Sequence, residues 1–495
     1  MGRAITGSVG YEGSSSGRRL AGWQELDTAI STLLSTEGDQ LRRRARGLAR
    51  KNPWAKSAED SYVSNAIGTG ITPQPLHPDR EMRTLLQKSW DRSVEEMDAD
   101  GKLDHYGQQA LAMREMFQAG EVLARFRPRY AEDGLLVPLQ VQIMEAEHLP
   151  LTKNGNNGGN PIRAGIEFTP FGKRAAYHLY REHPGLGGML LGNANEITRV
   201  DASQVLHCYQ VLRAGQLRGQ PWLAPVMVTL YELDQFVDAV LTRQKLSNMF
   251  IGWQKAMNDD VASAIAAQSS LPNGEAAPAG VGFGEIQSGT LLDLAGSGTT
   301  LEWSEPPDPA ATFPEFLKVM LRALASGIGI PYTLLNWDTS EATYSSQRGE
   351  LLEFRRRLEQ LQFLTVIHQF CRPVRRRWIN DAVLAGVLPK PRNQQEWTDL
   401  YATEWRTPKW AWVDPLKDVL GMKEAVRSAF TSRASVIREQ GYDPEQVDAE
   451  IAADNARADE LGIVSDSDPR QTQNNGAARA AQTADQNAPP NPPRQ

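Results

Sequence analysis

The residues of this chain that could do chemistry fall into a few small groups. His178 and His183 flank Arg181 and Glu182 and could offer two imidazole ligands to zinc. No third ligand follows nearby, so both read as surface or core histidines. Asp98, Asp100 and Asp104 copy the opening of a calcium loop, but Gln109 stands where the closing acid is needed, which favours a solvated loop. Cys208 and Cys371 are too few and too far apart for a disulfide framework or a cysteine zinc module, and read as small buried apolar residues. Gly13-Ser14-Ser15-Ser16-Gly17 matches the nucleophile-elbow pattern, but it lies in a Gly/Ser tail without the strand and helix that must hold such a serine. No GxxxxGK[ST] run occurs, and Gly185-Leu186-Gly187-Gly188 reads as a turn rather than a phosphate cradle. The basic triplets Arg355–Arg357 and Arg375–Arg377 read first as wet faces of amphipathic helices, with contact to phosphates or an acidic neighbouring subunit as the alternative. The expectation is a protein with no catalytic residues, no metal and no cofactor.

The scaffold for these residues is long. The chain has 495 residues, about three domains' worth, with 40% hydrophobic residues to build a core and 23% charged residues to keep it soluble. A formal net charge of -7 does not suit a protein that coats duplex DNA through phosphate neutralisation. No apolar run approaches the ~18 residues of a membrane span. The first twenty residues lack the apolar stretch of a signal peptide. Gly2 is a weak match to a myristoylation site, and cytosolic synthesis is expected.

Helical spacing dominates from Gly22 to Gly120, interrupted by Asn52-Pro53 and by Gly68-Thr69-Gly70. From Glu121 the period changes to two: Val122 to Arg127, Leu135 to Ile143, Ile162 to Phe168 and Ala175 to Leu179 predict a small antiparallel β domain over 121–210. Val226, Leu230, Leu233, Val237 and Val240, then Met249, Phe250 and Trp253, predict one long helix, a rod of roughly 50 Å. Between Lys255 and Lys318 there is no basic residue, while Glu275, Glu285, Asp293 and Glu302 are among the acids of that segment. It reads as a compact acidic insertion between the rod and a returning helix from Phe313 to Ser326. Residues 332–344 predict a loop. Leu351, Phe354, Leu358, Leu361, Leu364, Ile367 and Phe370 predict a second long helix that Pro373 must kink or end. Residues 395–415 are Trp-rich (Trp397, Trp405, Trp410, Trp412), and 465–495 has the composition of a disordered tail.

In series, several segments resemble the lambda family of bacteriophage portal proteins. They are Lys51-Asn52-Pro53-Trp54-Ala55, Ser64-Asn65-Ala66-Ile67-Gly68-Thr69-Gly70-Ile71-Thr72-Pro73 and Gly215-Gln216-Leu217-Arg218-Gly219-Gln220-Pro221-Trp222-Leu223-Ala224-Pro225. Gly327-Ile328-Gly329-Ile330-Pro331-Tyr332, Tyr344-Ser345-Ser346, Phe370-Cys371-Arg372-Pro373-Val374 and Trp410-Ala411-Trp412-Val413-Asp414-Pro415 follow in the family's order. One departure is Thr343, where Asn is expected before Tyr-Ser-Ser.

The resemblance implies an α+β, mainly helical portal-type fold assembled as a ring, usually of twelve subunits, at one capsid vertex of the virion, put together in the host cytoplasm. It implies a flexible tail (1–20), a wing of helices and a small β domain (21–225), a stem helix (226–257), a clip (258–311), a second stem helix (312–331), a tunnel loop (332–344), a kinked helix and further wing (345–414), a crown (415–464) and a disordered tail (465–495). The implied partners are copies of itself, double-stranded DNA in the channel, the terminase large subunit, a head–tail adaptor and the major capsid or scaffold protein, with no membrane. Trp337, Asp338, Thr339, Ser340, Glu341 and Tyr344 are expected nearest DNA. Glu275, Phe283, Glu285, Ile286, Leu291, Asp293, Glu302 and Trp303 are expected to dock partners on the clip. An acidic, lysine-free clip would repel phosphate and keep a duplex centred. The rival readings are a packaging nuclease or ATPase, which needs a phosphate loop or a carboxylate metal site, and a minor capsid or scaffold protein, which has no need of two stem helices around an acidic insertion.

Overall fold

The computed structural model describes residues 27–189, 196–247, 252–256, 291–292, 299–303, 313–340, 343–408, 415–440 and 442–463. The two tails, the Gly13–Gly17 pattern, Glu275, Phe283, Glu285, Ile286, Asp293, Glu341, Trp410 and Trp412 lie outside the described residues. The described helices are α1 (Ile30–Lys51), α2 (Pro53–Ala66), α3 (Arg80–Val94), α4 (His105–Ala119), α5 (Met227–Ser247), α6 (Phe313–Ile328), α7 (Tyr332–Asn336), α8 (Tyr344–Leu361), α9 (Arg372–Leu384), α10 (Gln394–Tyr401), α11 (Pro415–Arg427), α12 (Arg433–Glu439) and α13 (Pro444–Leu461). The strands are β1 (Thr72–Pro75), β2 (Glu121–Pro128), β3 (Leu139–Met144), β4 (Gly155–Asn157), β5 (Asn160–Arg163), β6 (Ile166–Phe168), β7 (Arg174–Tyr180), β8 (Ile197–Asp201), β9 (Val205–Tyr209), β10 (Gly252–Ala256), β11 (Leu291–Leu292), β12 (Thr299–Trp303) and β13 (Thr403–Arg406). The fold is mixed and mainly helical, with small sheets. No described helix is long and apolar enough to cross a membrane.

The chain divides into two compact units, Met1–Gly70 with Thr84–Gln394, and Ile71–Arg83 with Gln395–Gln495. In the first, the expected β domain is two antiparallel sheets, β3-β2-β9 and the meander β4-β5-β6-β7-β8. Leu123, Met144, Leu149, Ile166, Tyr177, Leu179, Val200 and Val205 form one buried cluster drawn from both sheets and the link between them. Beside it lies a buried ionic hub. Glu121 accepts hydrogen bonds from Arg218 Nη2 (2.5 Å), from His207 Nε2 (2.9 Å) and from the Gly219 N–H (2.7 Å). Arg218 also donates to the carbonyls of Ala164 (2.9 Å) and Leu149 (2.8 Å). The burial penalty on Glu121 is outweighed by Arg218, His207 and Arg42, and its carboxyl is held well below the usual range. Gly219 is glycine for a steric reason: a Cβ there would collide with the backbone of Gly120.

In the second unit β1 and β13 pair antiparallel, with Thr72 opposite Arg406 and Pro75 opposite Thr403. Gln74 bridges them to the start of α13, accepting from Arg406 Nε and donating to Asp443, each at 2.9 Å. Asp443 caps α13 by accepting from the Glu445 N–H, and Pro444 takes the first turn, where no N–H is needed.

The helices depart from the sequence expectations in three places. Of the rod expected over 226–257, Met227–Ser247 is helical, but Gly252–Ala256 is strand β10, so Trp253 belongs to a sheet. Glycine at 252 weakens a helix, and ladder partners in β11 and β12 supply the alternative. The expected loop 332–344 begins with the short helix α7. Pro373 does not end the second long helix. Residues Gln362–Cys371 widen into a π-helix, the Arg372 N–H bonds back to the Ile367 carbonyl, and Pro373 then sits in the first turn of α9, where its missing N–H costs little.

Candidate functional site

The loop after α6 is held at its root by one face of α2. Asn52 starts α2, accepting from the N–H groups of Trp54 and Ala55 at 3.1 Å each, with Pro53 next. One turn apart on that helix, Ser57 and Ser61 donate to the Leu334 carbonyl at 3.0 and 3.3 Å, and Tyr62 donates to the Ile328 carbonyl at 3.0 Å. Burial pushes the Tyr62 hydroxyl up to about 12, so it stays a donor.

Trp337 follows with φ 55°, a left-handed conformation that a bulky residue adopts only under constraint. Its side chain is 72% exposed, yet the indole Nε1 donates to Ser57 Oγ at 3.2 Å. Trp337 thus both anchors the loop and presents a face to solvent. Asp338 folds the tip: it accepts from the Ser340 N–H (3.0 Å) and hydroxyl (2.6 Å) and from the Tyr332 hydroxyl (3.3 Å). The Ser340 hydroxyl leads in drawing its carboxyl below the ordinary value. Thr339 and Ser340 are exposed, and Tyr344 opens α8. Thr343, the departure from the family pattern, is the N-cap of α8: its Oγ1 accepts from the Ser346 N–H, and Ser346 Oγ accepts from the Thr343 N–H. Threonine and asparagine serve the same capping chemistry.

Beneath the loop is a cleft of about 470 Å³, lined by Lys318 and Arg322 of α6 and by Tyr332, Asp338, Ser346 and Glu350. The Arg322 guanidinium lies 5.5 Å from the Tyr332 ring centre. Sequence reasoning missed this cleft and the serine pair of α2. The four-residue spacing of Ser57 and Ser61 was a visible signal, but the partner carbonyl lies far along the chain.

Between α5 and α6, β10 is the centre of a sheet of order β11-β10-β12, with Gly252 opposite both Leu291 and Trp303 and Trp253 opposite Glu302. Three of the expected docking residues, Leu291, Glu302 and Trp303, therefore lie on strands that flank β10.

The remaining candidates take structural places. His178 Nε2 sits 3.0 Å from Glu167, which also binds Arg199, Asn157 and Asn160. For His183 the sequence showed no third ligand, but the fold brings Glu145 and Glu147 to it, all ligand atoms within 4.8 Å of one another. Arg46 already pairs with Glu147 at 2.8 Å and stands 3.9 Å from Glu145, so a guanidinium occupies the cation's role there. Asp98 is a turn former, accepting from the N–H groups of Lys102 (2.8 Å) and Leu103 (2.9 Å). Cys208 and Cys371 are fully buried, and burial pushes the Cys208 thiol up to about 12. The reading of Arg375 as part of a wet face is corrected. It is 2% exposed, its guanidinium carbon is 4.6 Å from the ring centres of both Trp90 and Trp378, and burial lowers its pKa to about 9.

Along the described residues a helical pair brackets a small sheet, and a loop pinned to α2 follows the second helix. The chain belongs to the lambda family of phage portal proteins, whose family model matches residues 16–362. Three of the segments that carried the resemblance have physical roles: the Asn52-Pro53 cap of α2, the Arg218–Gly219 hub and Ser346, which completes the α8 cap with Thr343. The chain is 26% identical over 449 residues to a probable portal protein of Halomonas phage phiHAP-1, covering 86% of this chain and 82% of that protein. It is 21% identical over 490 residues to the portal protein of Escherichia phage N15, covering 89% of each. Among solved structures it is similar to a chain in the neck of a native GTA particle computed with C12 symmetry, at 14% identity and a TM-score of 0.43, covering 82% of this chain and 94% of that one.

Proposed function

We propose that copies of this chain close into a ring of about twelve at one vertex of a virion capsid, and that double-stranded DNA enters and leaves through it. In this reading 21–225 is the wing, α5 and α6 are the stem, the segment between them is the clip, and 415–464 is the crown. The observation that carries the reading is the order of elements within the family match: helix, inserted sheet, returning helix, and a loop pinned to α2. The clip docks the terminase large subunit during packaging and the head–tail adaptor afterwards, while the wing meets the major capsid or scaffold protein. The protein itself has no catalytic activity.

The loop Trp337, Asp338, Thr339, Ser340, Glu341 and Tyr344 forms the constriction nearest DNA. A polar, acidic tip makes weak, sequence-blind contacts, which a sliding duplex requires. The test replaces Asp338 and Glu341 with Lys. Rings should still form, because neither change removes an apolar residue. Packaging or DNA retention should change and become salt-dependent, because new cations bind phosphate. Wild-type packaging and retention at low and high salt would show that the loop does not face DNA.

A further inference from the structure

A groove of about 650 Å³ lies over the root of the pinned loop. Its lining includes Tyr62 and Ile328, whose hydrogen bond holds that root. It also includes Val211, Leu212 and Leu364, which are 58, 56 and 62% exposed. Large apolar side chains left open around one groove mark a surface that something covers. Trp222 lines the groove as well. Its ring packs on Tyr62 and Phe117, with ring centres 5.0 and 5.8 Å apart, but its buried indole Nε1 has no hydrogen-bond partner. A buried N–H is costly without an acceptor. The groove therefore suits a stretch of chain with apolar side chains and backbone carbonyls to offer.

The start of α1 stands beside it. Ser31 Oγ donates to the Gly215 carbonyl at 3.0 Å and accepts from the Leu217 N–H at 3.2 Å. Gln216 closes the same turn, its Oε1 accepting from the Leu212 N–H at 2.8 Å. The first turn of α1 is thus fixed to the turn that carries Leu212. Gly215 and Leu212 are three residues apart, at most ~11 Å along the chain. Ahead of α1 come Leu20, Trp23 and Leu26, apolar residues at three-residue steps. The eight residues from Ser31 back to Trp23 span up to ~28 Å when extended, enough to bring Trp23 into the groove. The other end of the chain does not suit it: 465–495 has no Leu, Ile, Val, Met, Phe, Tyr or Trp.

We infer that residues 20–26 fold back on their own chain and fill this groove. Trp23 covers Leu212 and Leu364, and a backbone carbonyl of the segment accepts from Trp222 Nε1. Charge agrees with that placement. Arg357 lines the groove, 3.4 Å from the Gly329 carbonyl, and Glu25 supplies the opposite sign. The segment then covers the Tyr62–Ile328 bond and steadies the root of the loop. This contact lies within one chain and stands whether or not copies form a ring.

Limited chymotrypsin digestion of the full chain tests it, with a free peptide of residues 1–29 as the reference. Tyr11 lies outside the contact and should be cut at the peptide's rate. Trp23 should be cut at least ~10-fold more slowly than in the peptide, because cleavage needs the segment to leave the groove. Leu212→Glu with Leu364→Glu, both at exposed positions, should return Trp23 to the peptide's rate. Cutting of Trp23 at the peptide's rate in the unaltered chain would overturn the contact. Protection that survives both substitutions would overturn it too, since the segment is then covered elsewhere. A disulfide decides which chain supplies the groove, because the two native cysteines are fully buried and do not compete. Gln24→Cys with Leu212→Cys, oxidised mildly, should link the two peptides within one copy and leave a monomer band on a non-reducing gel. A ladder of linked copies would overturn the proposal by placing the segment on a neighbour.

Discussion

At the scale of single residues, this fold rests on a few buried charged groups whose partners are fixed. Arg218 is the clearest: it is 1% exposed and neutralises an equally buried Glu121. Arg218→Ala strands that carboxylate, and losses of this kind cost about 3–5 kcal/mol. Thermal unfolding should show it against Arg457→Ala, which removes an exposed pair with Asp454 and should cost at most ~0.5 kcal/mol. Two buried histidines set an acid limit. Burial lowers both His105 and His207 from 6.5 to about 4. Between those values the unfolded chain binds protons that the folded chain refuses, so stability falls as pH drops from 6.5 toward 4, by ~1–3 kcal/mol per group. His105 stacks on Phe370 with ring centres 5.7 Å apart, so His105→Phe should keep the packing and flatten part of that decline. An unchanged slope in urea midpoints across this pH range would refute the assignment. None of these partnerships was legible in the sequence. Arg375 shares a triplet with two other arginines, and only the fold brings Trp90 against it.

At the scale of elements, the change of period at Glu121 and the apolar stripes of α5, α6 and α8 were readable, because each is a local pattern. What failed was non-local or too short. Strand β10 is defined by partners in β11 and β12, so Trp253 kept helical spacing while lying in a sheet. α7 is five residues long, too short to show a period. The π-helical stretch keeps the same apolar side chains as an α-helix, so its pattern was seen and its hydrogen bonding was not. That stretch carries a prediction. A proline inside an α-helix costs ~3 kcal/mol or more, so replacing one usually stabilises a helix by a comparable amount. Because Pro373 lies in the first turn of α9 after the wider turns, Pro373→Ala should change stability by less than ~1 kcal/mol. A gain of several kcal/mol in thermal unfolding would mean that the π-helix does not absorb the missing N–H.

At the scale of the whole molecule, the proposed function requires many copies to close a channel. A pinned loop such as Trp337–Ser340 constricts nothing in one chain, and the acidic segment between α5 and α6 repels no duplex unless it is repeated around an axis. The family and the order of its motifs were legible because several motifs have a local steric or capping duty, as at Asn52-Pro53, Gly219 and Ser346. The contacts that the proposed ring requires leave no such local pattern, because they would join surfaces that no single chain brings together. Native mass spectrometry of the purified protein tests the central claim most directly. A single dominant species of roughly twelve 54.8-kDa protomers is predicted, stable to dilution as a closed ring should be. Only monomers or dimers across the micromolar range would contradict it.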